Sequence, residues 1–86
     1  MKLRLFLLAA ALLACGRIAQ SPVCATYLEC AIAIDPSTTR QVNGQYGHLG
    51  TCWATNQATA DACTVQCATE LERLRADGGM DVAQCQ

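Results

Sequence analysis

Cations, imidazole and serine are scarce in this chain. Its 86 residues include one lysine (Lys2), five arginines and one histidine (His48), and only 15% are charged. Nothing here could neutralise a run of phosphates, which excludes nucleic acid as a partner. Ser21 and Ser37 are the only serines. A Ser-His-acid arrangement would have to combine one of them with His48, and neither sits in a nucleophile elbow. No C-x-x-C pair occurs and no second histidine exists. Zinc-finger spacing and a thioredoxin-like redox site are therefore both missing. The chain is read as no enzyme, with no cofactor and no metal. No apolar run reaches the about 20 residues that a membrane-spanning helix needs. The length allows one small domain and excludes a dinucleotide-binding fold or a repeat array.

What is present begins with an address. Met1-Lys2-Leu3-Arg4 is short and basic, and Leu5 to Ala14 follows as ten apolar residues without a charge. Such a run is too short to span a bilayer, and it has the length of the hydrophobic core of a secretory signal. The two basic residues stay on the cytoplasmic side as the segment inserts. Residues 1–14 are read as a signal peptide.

Leu12-Leu13-Ala14-Cys15-Gly16 resembles the lipobox of bacterial lipoproteins: apolar, apolar or small, small, then cysteine. The resemblance covers the first sixteen residues. It implies that the Cys15 thiol is joined to a diacylglycerol, that cleavage precedes Cys15, and that the new amino terminus is acylated. Cys15 is then the lipidation site, and the partner it brings is the membrane. Gly16 is not the aspartate that typically retains such proteins in the inner membrane, which implies the outer membrane. A second reading stays open. Ala14-Cys15-Gly16 is also a small-x-small cleavage site, which would release a soluble protein from Arg17.

Six further cysteines follow: Cys24, Cys30, Cys52, Cys63, Cys67 and Cys85. Six in roughly seventy residues is the density of a disulfide scaffold, and such bonds persist outside the cytosol. All six are assigned to disulfides. Small domains bury too little apolar surface to be comfortable without such staples.

Two helices are legible. Ser21-Pro22 is a cap followed by proline at the first helical position. From Val23 to Ile34, Val23, Tyr27, Cys30 and Ile34 form one stripe beside Cys24, Leu28 and Ala31, and Asp35-Pro36 ends the run. The second helix runs from about Asn56 or Gln57 to Ala76, capped by Thr55 or Asn56 and stopped by Gly78-Gly79. Cys63, Cys67, Leu71 and Leu74 line one face. Glu70–Arg73 and Glu72–Arg75 are spaced for i, i+3 pairs. Between the helices, Asp35 to Ala54 reads as an irregular connection: Asp35-Pro36 can cap a short helical turn through Val42, Asn43-Gly44 and the glycines at Gly47 and Gly50 mark turns, and Tyr46, Leu49 and Trp53, near Cys52, are expected to fold part of the loop onto the helices. Gly44, Gly47 and Gly50 do not make a phosphate loop, since the Walker lysine is missing. Trp53 is expected to fill the core.

Six cysteines permit fifteen connectivities. Cys24 and Cys30 lie about 9 Å apart along a helix, too far to bond each other. Cys63 and Cys67 share a helix and are likewise set aside. Antiparallel packing then favours Cys24–Cys67, Cys30–Cys63 and Cys52–Cys85. The next choice is Cys30–Cys52, Cys24–Cys63 and Cys67–Cys85.

The expected fold is all-α: a disulfide-stapled antiparallel helical hairpin with an irregular connecting loop, over residues 21–86, behind a lipidated tether at 15–20. The expected role is a lipid-anchored module of the cell envelope, structural or binding an envelope protein. The alternative is a freely secreted effector or inhibitor. The chain resembles small cysteine-rich bacterial lipoproteins in Tyr27-x-x-Cys30, Gly50-Thr51-Cys52-Trp53 and Cys63-x-x-x-Cys67. No activity travels with that pattern.

Overall fold

Proline at the first helical position starts α1, which spans Pro22–Ile34 in a computed structural model that describes residues 17–86. The signal peptide and Cys15 lie outside the described residues. Ser21 has the extended backbone of a cap, but its hydroxyl bonds no helical N–H and is buried without a partner. The proline, fixed in φ, supplies the start signal alone. Asp35 ends α1 and begins the next turn: its carboxylate accepts from the Ser37 N–H and hydroxyl, at 3.2 and 2.6 Å. That turn is a short 3₁₀ segment over Pro36–Thr38.

The connection is more regular than expected. Helix α2 spans Thr39–Tyr46 and runs straight through Asn43-Gly44, where a turn was predicted. Gly44 has open space where a Cβ would stand and does not take a left-handed conformation. Val42 and Tyr46 lie four residues apart, on one face of α2, and face the rest of the molecule. Packing on that face outweighs the weak helix propensity of glycine.

A loop then leads through a 3₁₀ turn, Thr51–Trp53, to α3 at Gln57–Ala76. Asn56 caps α3, its side chain accepting from the Thr59 N–H at 2.9 Å. Gly78, at φ 123°, turns the chain away after the helix. Two 3₁₀ turns, Gly79–Asp81 and Ala83–Cys85, finish the chain. The fold is all-α, and the described residues contain no strand.

The order of contacts along the helices sets the topology. Cys24, near the start of α1, sits among Ala60, Cys63 and Cys67 of α3. Cys30, near its end, sits with Leu71 and Cys85. The two long helices therefore advance in the same sense, because α2 carries the chain back between them. The antiparallel pairing belongs to α1 and α2, not to α1 and α3 as expected.

The core is built largely of sulfur around one indole. Cys24, Cys30, Cys67 and Cys85 are wholly buried, and Trp53 is the largest buried side chain, as expected. Leu71 is buried and Leu74 half-buried, while Ile34 is 44% exposed and leaves the predicted α1 stripe. Residues 17–20, read as part of the short tether, are hydrogen-bonded to the domain. The Ile18 N–H donates to the Trp53 carbonyl at 2.9 Å, and Arg17 donates to the Gly50 carbonyl at 3.2 Å.

Candidate functional site: the disulfide scaffold and the Tyr27–Tyr46 groove

All six predicted scaffold cysteines are paired. Cys24 bonds Cys67 with Cα atoms 5.0 Å apart, as favoured from the sequence. The other two bonds correct the expectation. Cys30 joins Cys85 at 4.5 Å, and Cys52 joins Cys63 at 6.0 Å. Neither Cys30–Cys63 nor Cys52–Cys85 forms, and no bond of the second choice forms either. The cause is the same-sense packing of α1 and α3. It brings the first turns of α3 beside the start of α1, where the Trp53 turn also lies, so Cys63 meets Cys52. The far end of α1 is left to the tail, which brings Cys85. Cys24 Sγ also lies 3.5 Å from the Cys63 carbonyl oxygen, so the two bonds at this end are packed against each other.

The ion pairs follow the sequence in part. Arg73 is hydrogen-bonded to Glu70 and lies 3.8 Å from Asp77. Arg75, expected opposite Glu72, instead donates through Nε to the Cys85 carbonyl. It thereby holds the cross-linked tail against α3.

Beside the scaffold is a groove of about 380 Å³. It is lined by Tyr27 of α1, by Gln41, Val42, Gln45 and Tyr46 of α2, and by Val65, Gln66, Thr69 and Glu70 of α3. Tyr27 and Tyr46 meet edge to face, ring centres 5.3 Å apart and planes at 89°. That is a preferred aromatic geometry. The Tyr46 hydroxyl donates to Gln66 Oε1 at 3.2 Å and bridges α2 to α3. The Tyr46 carbonyl, left over at the end of α2, accepts from Gln20 Nε2 at 2.7 Å and from Trp53 Nε1 at 3.3 Å. Three segments are thus pinned at one residue.

Burial pushes the Tyr27 phenol above its ordinary value, and the neighbouring Tyr46 and Glu70 add to the rise, against a smaller lowering from Arg73. Burial, then Glu70, does the same to Tyr46. The hydrogen bond and charge of Glu70 hold the proton of Arg73 more firmly. Both phenols are neutral donors at ordinary pH. The groove offers amides, hydroxyls and one carboxylate already engaged with an arginine. Such a lining forms hydrogen bonds and supplies no nucleophile–base pair.

His48 is exposed in the loop after α2, away from the groove lining, and Ser37 is engaged with Asp35. Among the described residues no cluster of three or more His, Cys, Asp or Glu is placed to hold a metal ion. No described helix is long and apolar enough to cross a membrane. The Tyr27–Tyr46 pair was not foreseen. Its sequence signal was Tyr27 on the apolar stripe of α1 and Tyr46 at the edge of the glycine-rich stretch, with nothing to say that they meet. Comparison with protein-family models, curated proteins and solved structures returned no match.

Proposed function

We propose that the chain is a lipid-anchored, disulfide-stapled module of the cell envelope, exported and held at the outer membrane through Cys15, with a structural or protein-binding role. One observation carries this reading. Six of the seven cysteines close into three bonds with one another, so none is left to pair with Cys15. The remaining thiol stands directly behind a charge-free apolar run, in the sequence Leu12-Leu13-Ala14-Cys15-Gly16. Three closed disulfides fit an oxidising compartment. Two or more acyl chains on one residue anchor stably, where a single chain binds only marginally. The groove between α2 and α3 is the surface on which an envelope protein would form hydrogen bonds.

Metabolic labelling with a radioactive fatty acid tests the anchor. The exported wild-type chain is expected to carry label and to sediment with membranes, and Cys15→Ser to lose both. A Cys15→Ser chain that still matures and still sediments would remove the anchor.

A further inference from the structure

The anchor and the fold together fix which end of the domain faces the lipid, an inference that rests on the lipidation of Cys15. We propose that the loop carrying Leu49 lies on the bilayer, with Leu49 inserted among the lipids and Arg17 among the headgroup phosphates.

The geometry begins with how short the leash is. Ile18 is bonded through its N–H to the Trp53 carbonyl, and Arg17 is bonded to the Gly50 carbonyl. Cys15 is three residues from Ile18, and three Cα–Cα steps span at most about 11 Å. Helix α3, with 20 residues, is about 30 Å long. A leash this short cannot let the domain turn over. The end that carries Gly50 and Trp53 stays at the membrane surface, and the end that carries Ile34 and the tail points away.

Leu49 stands at the near end, beside Gly50, and is 72% exposed. Among the described residues it is the most exposed large apolar side chain, and no packing within the domain accounts for its position. Gly50 allows the loop to fold this tightly, since a Cβ there would meet the Gln45 carbonyl oxygen at 2.4 Å. The loop thus presents Leu49 outward on a closed turn.

The charges are polarised in the same direction. Asp35, Asp77 and Asp81 lie at the far end, with Glu29, Glu70 and Glu72 in the far halves of their helices, and these six carboxylates outnumber Arg40, Arg73 and Arg75 on the same side. The near half holds exposed Arg17 and a single carboxylate, Asp61, which accepts from Gln57 Nε2 at 2.8 Å. An anionic lipid surface therefore repels the far end, with its excess of carboxylates, and leaves the balanced near end free to approach.

The test uses the full lipidated chain in vesicles of phosphatidylethanolamine and phosphatidylglycerol with brominated acyl chains, which quench tryptophan on contact. Trp53 is buried in every variant and serves as background. Leu49→Trp adds emission that brominated vesicles are expected to quench. Met80→Trp, on the distal tail and also exposed, adds emission that they leave intact. Equal quenching of the two, or a Leu49→Trp signal unchanged by bromine, overturns the orientation. A blue shift of Leu49→Trp without quenching points to a protein surface over the loop and also overturns it. Intact mass on the same sample separates the causes. An acylated chain that fails the quenching test sinks the orientation alone, and an unacylated one takes the anchor with it.

Discussion

Cys30 and Cys85 stand with their Cα atoms 4.5 Å apart, 55 residues apart in sequence, and close the last turn of the chain onto the first helix. Beside them, Cys52–Cys63 spans only 11 residues. Loop-closure entropy makes the longer loop the more stabilising, about 4 against about 3 kcal/mol. Replacing each pair by alanines is expected to lower urea stability more for Cys30/Cys85 than for Cys52/Cys63, by about 1 kcal/mol. The Cys30/Cys85 variant should also make Met80 to Gln86 more open to proteolysis, because only the Arg75 hydrogen bond and the packing of Val82 then hold the tail.

Trp53 fills the space between Cys24, Cys52 and Cys63, and its indole N–H is used at Tyr46. Trp53→Ala is expected to cost about 3–5 kcal/mol. In a domain of this size that is most of the stability, so the near-UV circular dichroism should collapse at ambient temperature. A variant with an unchanged unfolding midpoint would contradict the core described above.

Gly44 and Gly50 should respond to alanine with opposite signs. Gly44 is inside α2 with nothing near its Cβ position, so Gly44→Ala should stabilise by about 0.5–1 kcal/mol. At Gly50 the added methyl would overlap the Gln45 backbone, and Gly50→Ala should destabilise by at least about 1 kcal/mol. Thermal melts of the two variants decide it.

The phenols give a pH dependence with a definite sign. Tyr27 and Tyr46 both hold their protons more tightly in the folded chain than the ordinary value of 10.0. Folding is therefore favoured fully below pH about 10, and this contribution is lost as pH rises through the folded values. Urea midpoints should fall as pH rises above about 10. Tyr27→Phe should shallow the alkaline fall, and absorbance at 295 nm should show ionisation displaced upward from free tyrosine.

Much of the fold was legible because its signals are local. Proline at 22, Asn56 before α3 and Gly78 after it each act within one turn, and the two long helices appear where those residues put them. Trp53 was legible as core because one indole in so small a domain has few other uses. What was not legible depends on topology. A helical turn through Val42 is legible after Asp35-Pro36, but the rest of α2 was hidden by Asn43-Gly44, whose turn preference yields to the packing of Val42 and Tyr46. Once α2 exists, α3 starts beside the start of α1, and two of the three disulfides change partners. Cys24–Cys67 was right although the direction assumed for α3 was not, since Cys67 lies at the middle of α3, where reversing the helix changes its height least. The groove was illegible for the same reason: its lining comes from three segments whose meeting no local pattern encodes. The signal peptide and Cys15 belong to residues 1–16, outside the described residues.

Intact mass of the exported protein, taken without reduction, tests the central claim most directly. The expected spectrum corresponds to a chain beginning at Cys15, carrying a diacylglyceryl group and an amide-linked acyl chain, and lighter by six hydrogens than its reduced form. A chain beginning at Arg17, a chain with its leader attached, or a gain of fewer than six hydrogens on reduction would contradict it.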